Sequence, residues 1–466
     1  MGVQATRFPR DIPDIIHSRE GNVTTRKQIF VAGSLIAAGL LSTSALAGPM
    51  GSELDLGITP AGGGMEGVGL ALPQGNVSML FGNPSTLGQL KGSTSFTFGG
   101  AYISPSLKAD GTIALPNPAG PTTMPPVLLP FQGASRLTDL AAPHAAVLQR
   151  ISPDTVVAMG FTGISGLGSD WRNVLPPSFS LIADLKLFGG TMGFSHRVAD
   201  NLYMGGSFTL GIGSLQVGTV PSTGSVNNFG IGGTMGMTYQ GDVLTVSGAY
   251  KTELAINYKR VLITQNILDP TVTPADAFSN FKLEQPREFM FGIGTDKVGQ
   301  GTMMEVDFRW KNYSNSKGYS SFWRNQWKIA FGAQQELPNG MVVRGGYSYS
   351  RAIAKDASQL GGSFGGVSQL FAPGFPGQAF GLAPNVAPVT PGLIQLVQAT
   401  IADGHWQQGV SFGFGMKLMP NLRLDLNVNY AFDGKLTLND PNPSGQSINV
   451  NGKLLATGMG LTWTFN

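Results

Sequence analysis

The 466-residue chain contains no cysteine, which excludes a disulfide scaffold, thiolate metal sites and cysteine nucleophiles. It also suits a polypeptide that crosses an oxidising compartment without forming stray bridges. Charge is scarce: 12% of residues are Asp, Glu, Lys or Arg, and 30 basic against 27 acidic groups leave +3. That balance implies no polyanion partner such as nucleic acid. Histidine is limited to His17, His144, His196 and His405. No stretch beyond residue 47 reaches the roughly 18 unbroken apolar residues of a transmembrane helix. Glycine, by contrast, is abundant at 66 residues, with 27 Phe and 10 Tyr in a chain that is 42% hydrophobic. This composition argues against disorder and against helical bundles, and for many extended segments joined by tight turns.

Arg26-Lys27, the apolar run Ile29 to Leu41, and Ser44-Ala45-Leu46-Ala47 before Gly48 have the order of a secretory signal peptide, with cleavage expected after Ala47. A retained signal anchor and a buried helix are the alternatives. The run is too short to span a bilayer, and nothing amphipathic flanks it. Residues 1–25 make an over-long extension, which a start nearer Val23 would explain. Residues 1–47 hold five Lys/Arg and three Asp/Glu, so the remainder carries 25 minus 24, or +1.

Alternation dominates the rest. Residues 421–432 put Leu422, Leu424, Leu426, Val428 and Tyr430 on one face, with Arg423, Asp425, Asn427 and Asn429 on the other. Residues 406–418, 243–256 and 301–313 repeat the pattern; in 243–256, Leu244, Val246, Tyr250, Leu254 and Ile256 share the apolar face. Runs of about ten to thirteen residues exceed sandwich strands of about five or six and match tilted membrane-spanning strands. Strands are expected to begin near 93, 142, 155, 182, 201, 229, 243, 286, 301, 326, 340, 406, 421 and 452. These make fourteen, an even number as in single-chain bacterial barrels.

Connections alternate in length, as short periplasmic turns and longer outer loops do. Turn formers mark the short ones, at Ser152-Pro153-Asp154, Ala199-Asp200, Gln240-Gly241-Asp242, 297–300, Leu337-Pro338-Asn339 and Met419-Pro420-Asn421. Long loops are expected at 104–141, 166–181, 217–228, 257–285, 314–325, 353–405 and 433–451. Tyr250, Tyr258, Trp310, Tyr313, Trp323, Trp327, Tyr349, Trp406 and Tyr430 fall near the outer rim and read as an interfacial girdle. The expected class is therefore all-β: an antiparallel transmembrane barrel over 93–466, in the outer membrane, in contact with its lipid.

Residues 48–92 do not alternate and are rich in glycine. They plug the lumen, cap one mouth or hang free; Met79-Leu80-Phe81 and Leu87 are apolar enough to need cover. Within them, the run from Gly75 to Leu87, with Asn83-Pro84-Ser85 at its centre, resembles the hatch motif of FadL-type outer-membrane transporters of long-chain fatty acids and aromatic hydrocarbons. That motif commonly reads Asn-Pro-Ala, so Ser85 is a departure. Further similar stretches are Ser93 to Tyr102, Trp323-Arg324-Asn325-Gln326-Trp327 followed by Gly332-Ala333, Arg344-Gly345-Gly346-Tyr347, and His405-Trp406 leading to Leu424-Asp425-Leu426. The final Trp463 and Phe465 resemble the signal read by the outer-membrane assembly machinery, with Asn466 added.

The resemblance covers most of 60–465 in patches. It implies a monomeric barrel plugged by an N-terminal hatch (48–92), a hydrophobic capture groove among outer loops, an internal pocket, and an inward kink in the third strand for sideways release. That strand is 155–165, and Gly160 and Gly163 lie in it.

Two candidate binding regions follow from the residues. Val127, Leu128, Leu129 and Phe131, with Phe371, Phe375 and Phe380 of the largest loop, form an apolar intake surface or pack on one another without a ligand. Lys251, Arg309, Lys311 and Lys328 face the lumen and bind a carboxylate head, or are neutralised internally by Glu253, Glu305 and Asp307. Catalysis is not expected: the chain has no Gly-x-Ser-x-Gly elbow, no His-x-x-x-His pair for a metal and no nucleotide fingerprint that would couple transport to ATP. No cofactor is implied. The competing function is a general diffusion porin.

Overall fold

Alternation of small or polar residues with apolar ones builds the wall. The computed structural model describes residues 59–115, 127–172, 181–219, 224–263, 278–320, 323–355, 406–439 and 447–466. Residues 1–47, expected to be a signal peptide, lie outside them, as do Phe371, Phe375, Phe380 and His405. The wall begins with β1 (Thr94–Leu115), β2 (Val127–Ala134), β3 (Leu140–Ser152), β4 (Thr155–Asp170), β5 (Leu181–Ala199), β6 (Leu202–Thr219), β7 (Val226–Gln240) and β8 (Thr245–Lys251). A separate hairpin, β9 (Leu254–Ile263) and β10 (Phe278–Gln285), follows. The wall resumes with β11 (Glu288–Thr295), β12 (Thr302–Lys311), β13 (Gln326–Glu336), β14 (Val342–Ser350), β15 (Gln408–Met419), β16 (Leu422–Asn439) and β17 (Ser447–Phe465).

Fifteen strands make one sheet whose ends meet, because β17 pairs with β1 from Thr94↔Phe465 to Thr112↔Ser447. β2 pairs only with the outer part of β1. Leaving it out, fourteen antiparallel strands close the barrel. The outward face carries Phe98, Phe194, Phe208, Phe229, Ile231, Phe291, Phe331, Phe412 and Met459, all exposed. The alternate positions, among them Thr97, Ser195, Thr238, Ser247, Asp307 and Asn427, are buried. Apolar outside and polar inside is the inverse of a water-soluble core and is the arrangement of a lipid-embedded barrel. Among the described residues, no helix is long and apolar enough to cross a membrane.

Three expectations change. First, the loop expected at 104–141 contains structure: β1 runs 22 residues, about twice a tilted crossing, and β2 folds back on it. Second, β4 continues to Asp170, β16 to Asn439, and β17 starts at Ser447, so strands occupy much of the expected outer loops. In these extensions Leu107, Ala109, Ile448 and Val450 are buried in a shared cluster, which supplies the burial that keeps the strands paired above the membrane.

Third, 243–256 is not one strand. The chain breaks at Thr252-Glu253, held by Thr252 N donating to the Gly233 carbonyl at 2.9 Å, and β9 leans across the inner face of β6 and β7. Leu254, Ile256 and Tyr258 are therefore buried rather than lipid-facing. The close approach needs bare backbone: a Cβ on Gly211 or Gly213 would sit 2.8 Å from Leu254 Cδ1 or Ile256 Cδ1, respectively.

Residues 59–92 meet inward positions around most of the circumference. Asn76 Nδ2 donates to Ser95 Oγ of β1 (2.8 Å), Ser195 Oγ of β5 to the Ser85 carbonyl (2.7 Å), and Ser348 Oγ of β14 to Glu66 Oε2 (2.8 Å). Asn429 Nδ2 of β16 donates to the Gly63 carbonyl at 2.6 Å. A segment touching β1, β5, β14 and β16 of a closed barrel lies within it. Short helices at Pro60–Gly63 and Asn76–Phe81, then a 3-10 turn at Pro84–Gln89, give it a compact course.

Candidate functional site

The inner segment is held at three points. At the first, Asp307 Oδ2 accepts the N–H groups of Gly69 (3.0 Å) and Leu70 (3.3 Å), while Glu305 accepts those of Ala71 (2.7 Å) and Leu72 (3.1 Å). Two carboxylates two residues apart on β12 thus take four consecutive backbone donors. At the second, Glu66, with φ of 56°, accepts from Ser348 and gives its own N–H to Ser411 Oγ at 2.8 Å. The absent side chain of Gly346 makes room there for the Met65-Glu66 backbone.

The third point is Asn83-Pro84-Ser85, fully buried. Asn83 Nδ2 donates to the Leu70 carbonyl (2.9 Å) and Thr238 Oγ1 (3.2 Å), and Asn83 Oδ1 accepts from Ser85 N and Ser85 Oγ. Ser85 Oγ is also 2.7 Å from Thr238 Oγ1. The serine that departs from the Asn-Pro-Ala pattern thus gains a link to β7 that alanine lacks. Asn83→Ala is expected to destabilise the protein by about 3 kcal/mol, because several buried groups lose partners, and Ser85→Ala by about 1 kcal/mol. Urea unfolding followed by heat-modified electrophoretic mobility checks both; equal effects would contradict this network.

Above the segment lies a cavity of about 840 Å³, open solvent included. Thr59, Val77 and Phe81 form its floor, Leu254 and Gln285 of the β9–β10 hairpin overhang it, and Thr209, Thr234, Lys251, Glu288 and Arg309 line its sides. The four basic residues singled out from the sequence all take inward positions, but only Lys251 and Arg309 line the cavity. Lys311 is buried beside Arg309 on the same face, and Lys328 Nζ reaches the Glu66 carbonyl at 3.5 Å.

Glu288 is the acidic counterpart that sequence reasoning missed. It pairs in register with Lys251 on one side and Lys311 on the other, and its Oε1 lies 3.4 Å from Arg309 Nη1. Of the expected neutralisers, Glu305 and Asp307 hold the inner segment, with Asp307 also feeling the charge of Arg309, and Glu253 is exposed beside Arg287. Parity from Phe289 and Phe291 would have placed Glu288 inward. Glu288→Leu leaves buried cations uncompensated and is expected to cost about 3 kcal/mol in the same unfolding assay.

The cavity reaches the wall at Thr162, Gly163 and Ile164 of β4. There the β3–β4 ladder stops: its outermost pair is His144↔Thr162, and the β4–β5 register shifts between Gly163 and Ser165. Further out, β4 and the β2–β3 link meet again, with Arg136 N donating to the Asp170 carbonyl at 2.8 Å and Asp170 N to Ser135 Oγ at 3.0 Å. Between these ends the wall has a window without ladder pairs, across which Leu137 faces Gly168. Gly163 adjoins the register shift. Gly160 does not; it keeps regular pairing and admits Leu80 of the inner segment, whose Cδ2 would lie 2.9 Å from a Cβ there.

Over the cavity sits a large apolar cluster that includes Ile103, Phe131, Leu185, Leu215, Ile256, Tyr258, Trp323, Trp406 and Leu454. Of the expected intake residues, Phe131 belongs to it, Leu128 is exposed, and Val127, Leu128 and Leu129 lie in β2 rather than in a loop. Ser165 Oγ donates to Gln285 Oε1 (3.1 Å) and Gln285 Nε2 to Tyr319 Oη (3.0 Å), so the window edge is tied to the hairpin and to this cluster.

The girdle expectation divides. Tyr250, Phe289 and Trp310 form a row on the outer surface with ring centroids 4.9 and 5.7 Å apart, and Trp327 stacks with Tyr349 at 5.6 Å. Tyr258, Tyr313, Trp323 and Trp406 are instead buried. Tyr313 follows the end of β12, Trp323 lies just before β13 and Trp406 just before β15, all outside the wall strands. Tyr313, Tyr319 and Trp323 pack together with centroids 4.6 to 5.5 Å apart.

The fold is shared with solved outer-membrane proteins. A FadL homologue of Pseudomonas aeruginosa superposes with a TM-score of 0.63 at 15% identity, covering 90% of this chain and 100% of that one. The toluene transporter TodX of Pseudomonas putida gives 0.58 at 14% identity, covering 91% and 100%. The toluene transporter TbuX of Ralstonia pickettii gives 0.57 at 14%, covering 89% and 99%. No protein-family model matches the chain, and no curated protein matches it.

Proposed function

We propose that this chain is a monomeric outer-membrane transporter that carries hydrophobic small molecules passively through its barrel. Its fold is that of proteins described as a FadL homologue and as toluene transporters. Residues 48–92 act as the hatch, stoppering the lumen towards the periplasm. Cargo enters among the outer apolar residues, Leu128 and Phe131 together with Phe371, Phe375 and Phe380, and descends into the buried cluster. It then reaches the cavity and leaves sideways through the window between β3 and β4 into the outer leaflet. What supports this reading is the layering of the interior: a buried apolar cluster, and a cavity lined in part by Thr162, Gly163 and Ile164, where the β3–β4 ladder ends.

Within that range, the cavity favours cargo with an anionic head. Lys251 and Arg309 both line it, and their cationic groups suit a fatty-acid carboxylate. The protein binds no cofactor and catalyses no reaction. Contact with the assembly machinery is confined to biogenesis, through the last strand.

The test pairs two measurements. Cells expressing the protein are expected to accumulate labelled oleate several-fold faster than cells without it, and Lys251→Ala to lower that rate. Proteoliposomes carrying the wild-type chain are expected not to swell in sugars. Swelling without oleate uptake would establish a diffusion porin instead.

A further inference from the structure

At the inner end of the window, a buried imidazole stands without a partner. His144 is 1% exposed and Thr162 is 3% exposed. Among the described residues, neither ring nitrogen of His144 nor the hydroxyl of Thr162 has a hydrogen-bond partner. Leaving three polar atoms of one ladder pair unsatisfied is costly in a folded protein, and such exceptions call for a physical account. Position supplies one. His144↔Thr162 is the outermost pair of the β3–β4 ladder, so the two residues form the sill of the window, and Thr162 also lines the cavity.

Small neighbours flank the pair, and Thr162 gives it an edge on the cavity. In register, His144 faces Gly99 on β1, and Thr162 faces Gly189 on β5. The row thus reads glycine, histidine, threonine, glycine, with Ile164 and Thr209 leaning over its far end at Gly189. The imidazole lies over Gly99, where a Cβ would approach Nε2 to 2.8 Å. Above the sill, Ala142 belongs to the apolar cluster, and below it Ala146 packs against the inner segment. A donor and an acceptor on imidazole, with a hydroxyl beside them, therefore stand between Ala142 above and Ala146 below.

We propose that His144 and Thr162 form a polar station that binds the oxygen-bearing head, carboxyl or hydroxyl, of an amphiphilic cargo as it passes from the cavity to the window. This rests on the transport reading above and makes the window selective: an amphiphile is held at the sill, whereas a hydrocarbon without oxygen gains nothing there. His144 is thereby a specificity-determining residue separate from the Lys251–Arg309 side of the cavity.

The test uses the full-length chain in lipid nanodiscs with ¹⁵N-histidine labelling, and dodecanoate, dodecanol and dodecane as probes. Dodecanoate and dodecanol are expected to shift the His144 imidazole resonances, and dodecane to leave them in place. His144→Leu, and independently Thr162→Val, are expected to weaken binding of both oxygenated probes about five- to tenfold with dodecane binding unchanged. His144→Leu should also raise the thermal unfolding midpoint, since it removes an unpaired polar ring; a purely structural histidine would lower it. Imidazole resonances that ignore the oxygenated probes, or variants that bind all three probes as the wild type does, would overturn the station. If oleate uptake persists in that case, the transport reading survives; if no probe binds and no uptake occurs, both fall. Should His144→Leu fail to assemble, the wild-type resonances and Thr162→Val decide alone.

Discussion

Replacing Glu305 and Asp307 together by leucine is expected to turn a closed barrel into a leaky one. These carboxylates accept four consecutive backbone N–H groups from Gly69 to Leu72. A buried donor left without its acceptor costs about 1–3 kcal/mol, so these four bonds make the pair a major polar attachment of the inner segment to the wall. Leucine is close in volume and leaves four buried donors unpaired. The Glu66 and Asn83 attachments, at either end of this stretch, remain. Residues 69–72 should therefore detach while the barrel, closed by β1 and β17, persists. Proteoliposomes should swell in small sugars at least tenfold faster than with wild-type protein, while heat-modified mobility remains that of a folded barrel. An unleaky, folded double variant would show that these bonds do not govern closure.

The second large effect concerns the window. Because the chain has no cysteine, a pair introduced at Leu137 and Gly168 forms the sole possible bridge. Their side-chain positions face each other across the gap, since a Cβ on Gly168 would run into the Leu137 side chain. Leu137→Cys with Gly168→Cys should be oxidised on export and staple the β2–β3 link to β4 near Asp170, narrowing the gap from its outer end. Uptake of labelled oleate should drop at least tenfold and recover when dithiothreitol is added to the cells. Leu137→Cys alone should transport as the wild type does. If the oxidised double variant still takes up cargo at the full rate, release does not pass through this gap.

Much of the wall is legible from period two, and the reason is physical. A residue facing lipid and its neighbour facing the lumen meet opposite solvents, so every crossing repeats the same contrast, as Leu424, Leu426 and Val428 do against Arg423, Asp425 and Asn427. Turn formers at Pro153-Asp154 and Pro420-Asn421 then fix where the chain reverses. The same rule misleads at Leu254 and Ile256. A hairpin folded against the inside of the barrel alternates just as a lipid-facing strand does, and only the glycines it lies against, Gly211 and Gly213 on a strand forty residues earlier, tell the two apart. Trp323 and Trp406 mislead for a related reason: an aromatic near a rim is equally at home in an interface and in a buried cap. At the cavity, the inward direction of Lys251 and Arg309 follows from parity. Their balance with Glu288 does not, because cross-strand neighbours depend on register, which no local pattern encodes.

The inner segment has a further consequence for biogenesis. It precedes every strand in synthesis, yet it is gripped by strands from β1 to β16, and the seam that encloses it joins the first strand to the last. Nearly the whole polypeptide must therefore be delivered before the cylinder can shut, and the contacts that complete it are the most distant in the chain. Topologies of this kind fold slowly. The rate-limiting event in making this protein is then the zipping of its two terminal strands around a leader that arrived first and was secured last.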